Sequence, residues 1–96
     1  MMQSLLKCEV GTYLKLIWTE KEFCIVGIID TFYESIIYFD ENEEEYDEFY
    51  ACAIRVKEVL NNTEIDNITE NELIEISKYN CPNEIMLLNG LSIWKG

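Results

Sequence analysis

Along the first sixty residues, apolar side chains come in runs of strand length separated by polar turns. Residues 12–18, TYLKLIW, are β-branched and aromatic and alternate in part, with Leu14 and Leu16 on one parity and Tyr13, Lys15 and Ile17 on the other. Such side chains at a period of two suit a pleated, half-buried strand. TEKE, residues 19–22, is a polar turn. FCIVGIIDTF, residues 23–32, is a near-continuous apolar run, and SIIYF, residues 35–39, is another. After an acidic stretch, FYACAIRVKEV carries Tyr50, Cys52 and Ile54 on one parity and Ala51, Ala53 and Arg55 on the other. Short strands punctuated in this way predict a small barrel or sandwich. Gly27 interrupts the second strand, where a glycine marks a bend or a bulge.

The last third changes period. Ile68-Thr69-Glu70-Asn71-Glu72-Leu73 reads as a helix start, with Thr69 as cap, Glu72 completing a capping box and Ile68 stapling to Leu73. The helix is predicted over ENELIEISKY to about Tyr79, with Asn80 and Pro82 as its stop and a narrow apolar stripe of Leu73 and Ile76. IMLLNGLSIW, residues 85–94, sets Asn89-Gly90 between two apolar runs, which predicts a hairpin through a type I′ turn. A single helix through residues 84–89 is the competing reading.

At 96 residues, 49% of them hydrophobic, the chain is expected to form one domain, residues 1–96, with a single core. Residues 4–60 would be the barrel and residues 61–96 an extension. The N-terminus has no apolar run of signal-peptide length, and no stretch reaches the roughly 20 apolar residues of a membrane span. A soluble, cytoplasmic protein that touches no membrane is the expectation. With no His and no Cys-x-x-Cys, the common zinc patterns and His-based triads are excluded. Cys8, Cys24, Cys52 and Cys81 are expected as buried, reduced thiols.

Charge sharpens the picture. There are 19 acidic against 7 basic residues, a net charge of −12. That balance opposes nucleic-acid phosphates and anionic membranes and favours basic partners. It is also uneven, because no Lys or Arg lies between Lys21 and Arg55. DENEEEYDEFY, residues 40–50, holds seven acids in eleven positions.

The first sixty residues resemble the Sm-like superfamily, which includes bacterial Hfq. A short N-terminal helix, Gln3 to Cys8, leads through Gly11 into TYLKLIW, TEKE and FCIVGIIDTF, with Gly27 as the glycine that bends the second strand. GIIDTFYESIIYF is similar to the Hfq segment around that glycine. FYACAIRV is similar to the second motif, with Tyr50, Ala53 and Ile54 in matching places, and Ile54-Arg55 is similar to the Sm version. The resemblance implies a mainly β (α+β) fold: a five-stranded Sm/SH3-like barrel with a short N-terminal helix, extended here by the C-terminal helix and β-hairpin. It also implies where RNA would be held, and those residues are not retained. Tyr33 stands for the family's Asp, Ile37 for its Asn, and Ala51-Cys52 for a Lys-His pair. Edge-strand pairing into a homo-oligomer is compatible with such a barrel.

Candidate chemistry narrows accordingly. Asp40, Asn42 and Glu44 stand at the first, third and fifth places of a calcium loop, but Glu45 replaces its Gly and Ala51 its bidentate Glu. No metal and no cofactor is expected. The serines sit in no elbow or phosphate loop, and the cysteines lack a His partner, so no catalytic residue is assigned and no enzyme is expected. The site expected instead is a protein-binding one: Asp40, Glu41, Glu43, Glu44, Glu45, Asp47 and Glu48, with Tyr46 and Tyr50 beside them. It would occlude a basic protein surface, such as that of a nuclease or another nucleic-acid-binding protein, much as a nucleic-acid mimic would. By analogy of size and charge, that describes an inhibitor or immunity-type protein, or a phage or mobile-element product that blocks defence. The alternative is an Sm-like ring that binds RNA or a small nucleotide between subunits, lined by Arg55 and Lys57.

Overall fold

The computed structural model describes residues 1–62 and 68–96; residues 63–67, at the head of the expected extension, lie outside the described residues. Among the described residues, one short helix, α1 (Met2–Leu6), precedes six strands: β1 (Tyr13–Trp18), β2 (Phe23–Tyr38), β3 (Tyr46–Asn62), β4 (Leu73–Ile76), β5 (Glu84–Leu87) and β6 (Ser92–Lys95). All pair antiparallel in one sheet of order β4-β3-β2-β1-β5-β6. The mainly β class holds. The finer expectation, a five-stranded barrel, is not what is seen: the described residues form six strands in one open sheet, with β4 and β6 at its edges.

The two apolar runs expected as separate strands are one. β2 carries 16 residues, and a straight strand of that length would span roughly 50 Å. The longest dimension of the molecule is 45 Å, and the pairing of β2 shows where it departs from a straight strand. Register shifts on its pairing with β3 fall at Cys24/Ile25, Val26/Gly27 and Ile29/Thr31, and each extra residue adds local twist and curvature. Gly27 sits at one of them. A Cβ there would lie 2.3 Å from Cγ2 of Ile54 and 3.0 Å from the Arg55 carbonyl oxygen, so the bend requires a residue without a side chain.

The curved sheet buries its core on one face. Leu14, Leu16 and Trp18 of β1, Phe23, Ile25 and Ile29 of β2, Cys52, Ile54 and Val56 of β3, Ile76 and Ile85 form one cluster, closed by Leu5 of α1. Alternation explains the list, since residues two apart on a strand share a face.

The C-terminal helix is not formed; Leu73–Ile76, in its middle, make β4. One half of the capping box forms, the Thr69 amide donating to Oε2 of Glu72 at 3.0 Å, while the Glu72 amide donates to the Thr69 backbone carbonyl at 3.2 Å and closes a turn. Asn71, at φ 71°, then turns the chain out of the helical path. Leu73–Ile76 pairs with Arg55–Cys52, which gives the backbone a ladder and buries Ile76 against the core. LIEI fits a period of two through Ile74 and Ile76 as well as it fits a helix through Leu73 and Ile76, and the open edge of β3 decides between them.

The hairpin at Asn89-Gly90 is present, but its turn differs from the expected type I′. The Gly90 amide donates to the Leu87 carbonyl at 3.0 Å and the Leu87 amide to the Leu91 carbonyl at 2.8 Å. Gly90 has φ 92°, whereas Asn89 is not among the positive-φ residues. This is a three-residue loop with glycine in the left-handed position, and Oδ1 of Asn89 accepts from the Leu91 amide at 2.9 Å.

Candidate functional site

β1 leaves β2 at Ile28, and β4 leaves β3 at Cys52. Beyond those points the sheet narrows to two strands, Tyr33–Tyr38 against Tyr46–Ala51, joined by residues 39–45. This hairpin arm contains every residue of the acidic stretch, and its chain has no Lys or Arg.

The tip is a hydrogen-bonded loop. The Phe39 amide donates to the Glu45 carbonyl at 2.8 Å and closes it. Oδ1 of Asp40 accepts from the Glu44 amide at 2.8 Å and the Glu45 amide at 3.2 Å. Glu43, at φ 58°, makes the turn. Asp40 therefore faces the loop's own backbone and organises the tip, while Glu41, Glu43, Glu44 and Glu45 are exposed. The calcium-like spacing has become a loop in which the Asp40 carboxylate caps two backbone amides. Among the described residues, no group of three or more His, Cys, Asp and Glu is arranged to hold a metal ion.

The arm has two unlike faces. On the outer one, Phe49 packs edge-on to Tyr79, ring centroids 4.9 Å apart. The Tyr79 hydroxyl donates to Oδ2 of Asp47 at 2.6 Å, and Lys78 forms an ion pair with the same oxygen. The Lys78 and Tyr79 hydrogen bonds hold the Asp47 carboxyl below the usual carboxylate range, and the bond to Asp47 raises both Lys78 and Tyr79. Tyr33, on the same side, is raised by burial and by Glu75. The segment after β4 thus covers this face, and Asp47 is spent holding it there.

The inner face continues the face that buries the core. β3 has no extra residue between Tyr46 and Val56 relative to its partner, so Tyr46, Glu48 and Tyr50 line up with Cys52, Ile54 and Val56. Phe32, opposite Cys52, packs on the core, and Glu34, Ile36 and Tyr38 follow it along β2. Past the core nothing among the described residues covers this face. Ile36 is 41% exposed, Tyr38 46%, Tyr46 55% and Tyr50 57%. Tyr38 and Tyr46 are directly paired, ring centroids 6.1 Å apart. Glu34 opposes Tyr50, and Glu48 opposes Ile36.

The structure therefore divides the expected site. Tyr46, Glu48 and Tyr50 meet on the inner face, four glutamates sit at the tip, Asp40 braces the loop, and Asp47 points to the other side. Glu34, Ile36 and Tyr38 share the inner face and were not among the residues expected there. Their signal was the alternation in YESIIY, which becomes readable only once SIIYF is paired with the acidic segment. Arg55 and Lys57, the suggested ring lining, are engaged elsewhere. Arg55 lies 3.7 Å from Asp30 and donates to the Asn71 carbonyl at 2.8 Å, and Lys57 donates to Oδ1 of Asn71 at 3.2 Å.

A family model for the cognate immunity protein YxxD matches residues 1–96, the whole chain. The chain belongs to this family. It is an immunity-type protein, and its role is to bind a cognate partner. No curated protein and no solved structure matches the chain.

The immunity protein's cysteines are free, and they differ in setting. Cys52 is buried, and desolvation, with Cys8 and Asp30 nearby, pushes its thiol up to about 12. Cys8 and Cys24 are half-buried and Cys81 is exposed, so of the four thiols expected to be buried only Cys52 is. No helix among the described residues is long and apolar enough to cross a membrane.

Proposed function

We propose that this immunity protein neutralises a partner toxin without catalysis, inside the cell, by covering a basic, nucleic-acid-binding surface with its arm. One observation carries the reading: the core-bearing face of the sheet runs on, uncovered, into an arm that holds aromatic and acidic side chains and no basic ones. Exposed Tyr and Ile in contiguous array favour a partner surface over open solvent. The tip glutamates contribute mainly long-range attraction, which speeds encounter and selects basic partners. Kinship with Sm-like barrels remains part of the proposal for the body of the sheet, supported by the bend at Gly27. That kinship assigns no RNA pocket, because the contacting residues are absent and the arm repels phosphate.

The test is binding of the cognate toxin to the parent and to a Glu43→Gln/Glu44→Gln/Glu45→Gln variant across a salt series. Slower association of the variant at low salt, converging with the parent as the Debye length falls to about 3 Å near 1 M, is expected. Identical association rates at every salt concentration would remove the acidic surface from the mechanism. Binding of oligo-uridylate at low salt would favour the RNA alternative.

A further inference from the structure

We propose that the inner face of the arm is an arginine-reading surface, in which Tyr38, Tyr46 and Tyr50 stack guanidinium groups that Glu34 and Glu48 hold by hydrogen bonds. The proposal rests on the reading that the arm meets a basic partner, and it names the group recognised and the residues that recognise it. Directly paired side chains on one face stand about 5 Å apart, and i, i+2 neighbours about 6.6 Å. Glu48 therefore has an exposed tyrosine on each side along β3, and Tyr50 has Glu34 across from it. Glu34, Glu48, Phe49 and Tyr50 line a shallow cleft on the arm. A ring face beside a carboxylate suits a planar guanidinium, which stacks and donates through a fork at the same time. An ammonium is a point charge and uses only part of that arrangement. Charge excludes the other occupants. A second copy would bring the same acids against these with a net charge of −12 on each molecule, and a nucleic acid would bring phosphates.

Two peptides probe the face on the full chain: an alternating Gly-Arg octapeptide and its Gly-Lys counterpart, followed by NMR shifts of the tyrosine rings. The Arg peptide is expected to bind about tenfold tighter, to move the Tyr38, Tyr46 and Tyr50 resonances, and to keep binding near 1 M salt, where exposed charges are screened beyond about 3 Å. Tyr46→Ala/Tyr50→Ala should abolish that preference, and Tyr46→Phe, which keeps the ring, should retain it. The tip variant should lose affinity only at low salt. Equal affinity for the two peptides overturns the proposal, as does unchanged Arg binding in the Ala variant. A dimer that the Ala variant dissociates would make the face a self-interface, and oligo-uridylate shifting the same rings would make it a nucleic-acid site; either result also overturns it. These failures leave the toxin-binding reading intact if the parent still binds the toxin through the arm.

Discussion

Replacing Gly27 with Ala tests whether the bend of β2 is built on close backbone approach. The added Cβ would sit 2.3 Å from Cγ2 of Ile54 and 3.0 Å from the Arg55 carbonyl oxygen, against an ordinary contact of at least 3.4 Å. Ile54 is fully buried in the cluster and cannot swing aside, and the carbonyl belongs to β3 itself. Relief requires the two strands to part by about 1 Å where the interior is close-packed. Overpacking of this kind costs about 1–3 kcal/mol. For a domain of this size each kcal/mol moves the midpoint by about 4–8 °C, so thermal unfolding should fall by roughly 5–20 °C. The decisive assay is a double-mutant cycle by calorimetry with Ile54→Ala. That substitution costs about 2–5 kcal/mol alone but removes the clashing methyl, so the pair should cost clearly less than the sum. Additive costs, or an unchanged midpoint for Gly27→Ala, would refute the close-approach reasoning.

Asp40→Ala removes the acceptor of the Glu44 and Glu45 amides. Both amides should exchange faster by hydrogen–deuterium NMR, with a loss of about 1 kcal/mol local to the tip, while Asp40→Asn, which keeps an acceptor oxygen, should differ little from the parent. The Asp47 contacts to Lys78 and Tyr79 set a pH dependence. The folded carboxyl titrates below its unfolded value, so the stabilisation is fully present above about pH 4 and is lost as pH falls through the lowered value. The Tyr79 ring resonance should follow that acid transition, and Asp47→Asn should remove it. A transition centred at or above the ordinary carboxylate range would show that the contact does not hold in solution.

Much of the fold was legible because strand signals were strong and local. TYLKLIW and FYACAIRV read as strands and are strands; in the first the alternation matches burial, with Leu14 and Leu16 inside, whereas in the second Ala51 and Ala53 are buried along with Cys52 and Ile54. Gly27 announced its bulge by breaking an apolar run. The errors came where local rules pointed to more than one structure. Glu72 does reach back to the Thr69 amide, but a capping box states only how a turn begins. Whether a helix follows depended on Asn71 and on an edge of β3 that lies far off in sequence. The site was half legible for a similar reason. Composition pointed to Tyr46, Glu48 and Tyr50, yet it treated seven acids as one cluster. Pairing assigned Asp47 to the covered face, Asp40 to the loop backbone, and Glu34, Ile36 and Tyr38 to the open face. No count of charges contains that parity.

Hydrogen exchange of the immunity protein, free and saturated with its cognate toxin, tests the role of the arm most directly. Binding should slow exchange at Glu34–Tyr38, across the tip and at Tyr46–Tyr50, and leave α1, β5 and β6 as they were. Protection confined to α1, β5 or β6, with the arm exchanging as in the free protein, would contradict it.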